Sequence, residues 1–182
     1  MYIELKKLNY GRLIKNDIAN GIGVRVSLFV SGCENRCEGC FQPETWDYDY
    51  GSIFTEDTQR QIVDLLKPDW VDGLSILGGD PFEPSNQRGL IGLIRFIDDH
   101  CYKKTIWVYT GYTFEELRDP VSRVYTEVTE EMLKRIDVLV DGRFEEDKKD
   151  LTLRFRGSSN QRIIDVPASL EKDEIVLAEE YY

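Results

Sequence analysis

Short runs with strand character at residues 24–30, 74–77, 105–109, 137–140 and 162–166 alternate with stretches of helical periodicity, and this alternation limits the fold more than any other feature. In the first run Arg25, Ser27 and Phe29 alternate with Val24, Val26, Leu28 and Val30, so one face is apolar throughout. Thr55 reads as the N-cap of a helix to about Leu66, with Glu56 and Asp57 in its positive first turn and Pro68 beyond its end. Leu90, Leu93, Ile94 and Ile97 place one apolar side on a second helix over 85–100. Thr113 and Glu116 form a capping box ahead of Pro120, and Thr129 is a candidate cap for a helix to about Arg135. A recurring strand, loop, helix and strand predicts parallel strands joined by right-handed crossovers, hence an α/β fold. The chain reads as one domain over 1–182. Residues 1–23 are expected as an edge strand or irregular entry, and the acidic tail 167–182 as poorly ordered.

The unusual turns all follow strands. They are a cysteine loop, Gly78-Gly79-Asp80-Pro81, Thr110-Gly111-Tyr112 and Asp141-Gly142. In parallel α/β sheets ligands sit at the carboxyl ends of the strands, so these four turns are predicted to ring one site. Within the loop, Cys33, Cys37 and Cys40 stand in a C-x3-C-x2-C spacing. They cannot all pair as disulfides, and thiolates at this density suit zinc or an iron–sulfur cluster. Structural zinc sites and plain electron-transfer clusters take four protein ligands, whereas this loop supplies three. The simplest reading is a metal centre with one open position, where a substrate or cofactor binds. The competing reading is a zinc knuckle with Cys101 as fourth ligand, although Cys101 reads better as a buried free thiol. His100, the only histidine, reads as an exposed helix-end residue.

Composition bounds the rest. A net charge of −11 and a pI near 4.7 argue against a nucleic-acid binder, although Arg154, Arg156 and Arg162 form a candidate basic patch. No run approaches the roughly 18–20 apolar residues of a membrane span, and no secretory signal pattern is present. Cysteines concentrated in one loop fit a reducing compartment, so a cytoplasmic location is expected.

Further blocks stand in order along residues 20–166: Thr45-Trp46 after the cysteines, Gly-Gly-Asp-Pro at 78–81, Trp-Val-Tyr-Thr-Gly-Tyr at 107–112, Asp-Val-Leu-Val-Asp-Gly at 137–142 and Arg-Gly-Ser-Ser-Asn-Gln at 156–161. Together with the cysteine spacing they resemble the activating proteins of class III anaerobic ribonucleotide reductases, within the radical S-adenosylmethionine superfamily. The last block separates this family from the similar pyruvate formate-lyase activating enzymes, which remain the nearer alternative; a non-enzymatic iron–sulfur or zinc protein is the more distant one. The resemblance implies a partial, open parallel (β/α) barrel. It implies that Cys33, Cys37 and Cys40 hold a [4Fe-4S] cluster whose fourth iron is chelated by S-adenosylmethionine. Gly39 and Phe41 would lie against that cofactor. Gly78, Gly79 and Asp80 would receive its ammonium through backbone carbonyls, and Thr110 and Asp141 would contact its ribose or methionine part. The implied product is a glycyl radical on the large subunit of an anaerobic ribonucleoside-triphosphate reductase, with an electron from a flavodoxin- or ferredoxin-type donor. No acid–base pair is required. Two positions depart from the family pattern: Asn35 stands where His is frequent, and Gln42 where Asn is frequent.

Overall fold

The computed structural model describes residues 7–101 and 103–182, so the expectation for residues 1–6 lies outside it. Among the described residues the strands are β1 (Asn9–Asp17), β2 (Arg25–Val30), β3 (Ser52–Ile53), β4 (Gly73–Gly78), β5 (Thr105–Tyr109), β6 (Val138–Asp141) and β7 (Arg162–Asp165). They form one seven-stranded sheet in the order β3-β1-β2-β4-β5-β6-β7, which does not close on itself.

The expected parallel arrangement holds in the middle and fails at both ends. β2, β4, β5 and β6 pair in parallel. Helix α1 (Glu56–Leu66) lies on the β2–β4 connection, α2 (Pro84–His100) on β4–β5, and α3 (Phe114–Arg118) with α4 (Thr129–Lys134) on β5–β6. β1 runs antiparallel to β2, because a short turn returns the chain directly, and the two-residue β3, which follows the cysteine loop, pairs antiparallel on its other side, so β1 is not itself the outermost strand. β7 is antiparallel to β6, since the intervening stretch holds only a 3₁₀ turn at Glu146–Lys148 and no crossover helix.

Two of the three predicted threonine caps form. Thr58 N–H donates to Thr55 Oγ1 at 3.3 Å and Glu116 N–H to Thr113 Oγ1 at 3.2 Å. Thr129 instead lies inside α4, where Val128 is the cap and makes no side-chain bond. The Thr129 hydroxyl accepts from Thr126 N–H at 2.8 Å and donates to Gln87 Oε1 at 2.6 Å, so it ties α4 to α2.

Alternation decides the two faces of the sheet. Val26, Leu28, Leu74, Ile76, Ile106, Val108 and Leu139 join Ile62, Leu66, Leu90, Leu93, Ile94 and Ile97 in the main core beneath the helices. The opposite face carries Trp107, Val138, Val140 and Ile163, which form a smaller core with Ala178, Tyr109, Phe155 and Tyr181. Both faces of β2 are therefore covered, and every residue in it is buried. Arg25, its first residue, has no exposed surface. Its guanidinium donates to Ser75 Oγ at 2.7 Å, Leu74 O at 2.8 Å and Thr105 O at 2.9 Å, and lies 5.4 Å from the centre of the Trp107 ring. Burial lowers its pKa to about 10.

The tail is packed, contrary to expectation. Asp165 caps α5 (Val166–Lys172) by accepting from Ala168 N–H at 2.9 Å. The chain then turns back, and Leu177 bridges to Ile164. Asp165 N–H donates to Val176 O, Ala178 N–H to Ile163 O, and Ile163 N–H to Tyr182 Oη, all at 2.9 Å. The Tyr181 ring sits 5.0 Å from Trp107. The acidic composition of the tail conceals the apolar residues that anchor it.

Candidate cofactor site

β2 delivers the cysteine loop into the ends of its neighbours. Gly32 N–H donates to Thr45 O at 2.7 Å and Cys33 N–H to Trp46 O at 3.2 Å, which seats the loop against the 3₁₀ turn Pro43–Trp46. Cys33, Cys37 and Cys40, all free thiols, line one cavity of about 550 Å³ at the carboxyl ends of the parallel strands. Cys33 is buried and the other two are half-buried. Gly78 and Gly79, then Thr110 and Gly111, then Gly142 contribute further wall to the same cavity. The structure thus brings together all four turns that follow strands.

Close backbone approach explains the two glycines at the end of β4, Gly78 being its last residue and Gly79 the next. Gly78 has φ of 108°, and a Cβ there would meet Val30 O at 2.6 Å. A Cβ on Gly79 would meet Gly32 O at 2.5 Å and Thr45 O at 2.9 Å, so the glycine turn lies directly against the cysteine loop. Gly79 N–H donates to Val30 O at 2.7 Å and Asp80 N–H to Gly32 O at 2.8 Å.

Two buried carboxylates fasten this junction. Asp80 accepts from Thr110 Oγ1 at 2.7 Å, Gly111 N–H at 2.8 Å, Phe82 N–H at 2.9 Å and Asn35 Nδ2 at 2.9 Å. Burial nevertheless pushes its carboxyl up to about 7. Glu83, also fully buried, accepts from Glu34 N–H at 2.9 Å and Tyr112 Oη at 2.7 Å, and pairs with Arg123 at 3.0 Å. Burial alone would raise Glu83, but Arg123, the Glu34 amide and Tyr112 outweigh it and hold the carboxyl below its ordinary value. Glu83 and Arg123 were not among the sequence-derived candidates, and Tyr112 entered only as the last residue of the turn at 110–112.

The remaining candidates divide. Phe41 lines the cavity, packs 5.1 Å from Phe144 and stays 62% exposed. Thr110 lines it too, with its hydroxyl bonded to Asp80. Gly39 is not part of the wall; its φ is 71° and its open side faces Glu146. Asp141 is not brought to the wall either. Its buried carboxylate accepts from Phe114 N–H at 2.7 Å and from Arg162 at 2.9 Å and 2.5 Å. Each of the three arginines is engaged within the protein. Arg162 pairs with Asp141 and Glu115, Arg154 lies over Phe155, and Arg156 lies over Tyr182. Cys101 is half-buried just after α2, ahead of the first residue of β5 and so at the opposite end of the strands. The zinc reading loses its fourth ligand there. His100 is exposed, with Nδ1 2.9 Å from Phe96 O.

The donor set suits a polynuclear centre. Among the described residues no three Cys, His, Asp or Glu side chains converge closely enough to hold one metal ion. Three thiols spaced around one cavity match a cluster in which separate irons each take one thiolate. Burial, reinforced by the charge of Asp80, pushes the Cys33 thiol up to about 12, and burial raises Cys37 as well. Metal binding at these residues therefore displaces protons.

Comparison with known proteins agrees with this chemistry. A family model described as a 4Fe-4S single cluster domain matches residues 19–164. A protein of Pasteurella multocida (strain Pm70) is 41% identical over 159 residues, covering 86% of this chain and 96% of its own. Similar proteins of enterobacteria phage T4 (37% over 156 residues; 86% and 93%) and Escherichia coli K12 (40% over 156 residues; 85% and 96%) match alongside it. All three are named anaerobic ribonucleoside-triphosphate reductase-activating proteins.

Proposed function

The chain belongs to the family of anaerobic ribonucleoside-triphosphate reductase-activating proteins, and from that premise we propose that it is the enzyme that installs a glycyl radical on such a reductase. The observation that carries this reading is one cavity walled by three free thiols and by the Gly78–Gly79 turn. Cys33, Cys37 and Cys40 hold a [4Fe-4S] cluster. Phe41, Gly78, Gly79, Asp80 and Thr110 form the wall against S-adenosylmethionine, while Gly39 directly precedes Cys40 and Asp141 directly precedes the wall residue Gly142. When bound, cluster and cofactor together supply one-electron cleavage of the sulfonium and the hydrogen abstraction that leaves a radical on a partner glycine.

The protein's own part is placement. Gly79 lets the glycine turn touch the cysteine loop. Asp80 and Glu83 fix residues 34 and 35, between the first two cysteines, through directed hydrogen bonds. Phe41 and Phe144, packed 5.1 Å apart, add apolar surface to the cavity that the thiols line. The four parallel strands β2, β4, β5 and β6 support the open-barrel reading of the fold, with the reductase large subunit covering its unclosed side. A flavodoxin- or ferredoxin-type donor supplies the electron, and the setting is cytoplasmic. Among the described residues no helix is long and apolar enough to cross a membrane.

The decisive experiment mixes the anaerobically reconstituted protein with the reductase, S-adenosylmethionine and a reductant, then records electron paramagnetic resonance. A glycine-centred doublet is expected. Its absence, with the cluster loaded and reduced, would overturn the reading.

A further inference from the structure

The cavity extends beyond the cysteines. Phe29, Leu77 and Tyr109 line it from the face of the sheet opposite the helices, and Leu151, Leu153 and Arg156 from the stretch after β6. This part is mostly apolar, yet it holds polar atoms with nothing to bond. Tyr109 Oη is buried without a hydrogen-bond partner, and so is Arg156 Nε, although Arg156 Nη1 donates to Gln161 O at 2.9 Å. A buried unsatisfied donor is unfavourable and calls for an explanation. Burial raises the Tyr109 phenol, so it stays protonated with an O–H to donate. Arg156 begins the Arg-Gly-Ser-Ser-Asn-Gln block, whose Gly157 and Gln161 line the cavity as well.

A chain segment around a glycine is well matched to such a wall. It carries no side chain to fit at the reacting residue, it tolerates apolar surroundings, and its carbonyls need donors. We propose that Tyr109 donates a hydrogen bond to a main-chain carbonyl of the glycine-bearing segment of the reductase, and that Arg156, across the same cavity, helps select this partner. The inference rests on the function proposed above. It adds the residues that bind the polypeptide rather than the cofactor.

The test is Tyr109→Phe, which removes only Oη, in the full protein with its cluster reconstituted and the reductase as partner. The half-saturating reductase concentration is expected to rise roughly five-fold, and the ratio of glycyl radical formed to S-adenosylmethionine cleaved to fall by a similar factor. Iron content per chain reports whether the variant is folded. Should it be lost, Leu151→Glu serves instead. Leu151 is 85% exposed, and a carboxylate there should also raise the half-saturating reductase concentration. An unchanged ratio and half-saturation in the variant that keeps its iron would overturn the proposal, as would a rise in the half-saturating S-adenosylmethionine concentration alone. A wild-type protein that cleaves the cofactor but puts no radical on the reductase would overturn the proposed function instead.

Discussion

The side-chain amide of Asn35 donates to Asp80 Oδ2 at 2.9 Å, joining the cysteine loop to the turn after β4. Asp80 simultaneously holds Thr110 and Gly111 at the end of β5, so a single carboxylate sets three turns relative to one another. Its side chain is saturated by the protein.

Replacing Asn35 by Ala should loosen the loop without unfolding the chain. Losing one hydrogen bond to a buried carboxylate costs about 1–2 kcal/mol, or a drop in Tm of roughly 2–8 °C for a domain of this size. Thermal unfolding of the metal-free protein checks this, and iron bound per chain after reconstitution should fall in parallel.

Glu83 gives a pH signature. Its folded carboxyl is held below the ordinary value of 4.5, so its contribution is complete above that pH and disappears as pH falls through the folded value. The wild-type protein should exceed Glu83→Gln by about 1–2 kcal/mol at neutral pH, a figure reduced because Arg123 is half exposed. Denaturant melts from pH 7 to pH 3 should show the difference close below about 4.5. A constant difference would refute the assignment.

Gly79→Ala should damage the site more than the fold. Its Cβ would lie 2.5 Å from Gly32 O, which is backbone and cannot swing aside. Overpacking of this kind costs about 1–3 kcal/mol. The measurable outcome is a reconstituted protein with less iron and an altered cluster spectrum.

Cys33→Ala, Cys37→Ala and Cys40→Ala should each lower bound iron and abolish S-adenosylmethionine cleavage. Cys101→Ala, at the other end of the strands, should leave both near wild-type values. Chelation of the iron should remove the visible absorbance and the cleavage together.

Local chemistry made much of this legible in advance. The caps at Thr55 and Thr113, the strand over 105–109 and the cysteine loop each depend on a few consecutive residues. What escaped depends on distant partners. Glu83 sits between Phe82 and Pro84 with nothing local to separate a surface carboxylate from one buried against Arg123, forty positions away. Asp141 ends a buried strand as a ligand-binding residue would, but Arg162 and the Phe114 amide claim its carboxylate. Thr129 begins a helix like a cap, yet Gln87 on another helix captures its hydroxyl.

The returning tail has a consequence for self-association. Unpaired amides and carbonyls along an outermost strand are templates on which a second molecule can extend a sheet. Here Val176, Ala178 and Tyr182 occupy those groups on β7, while the opposite border, β3, is only two residues long. The β7 margin therefore offers no run on which another copy could zip, whereas on the other side β3 covers only Asn9 and Tyr10, so among the described residues any edge-to-edge association is confined to β1 beyond Tyr10.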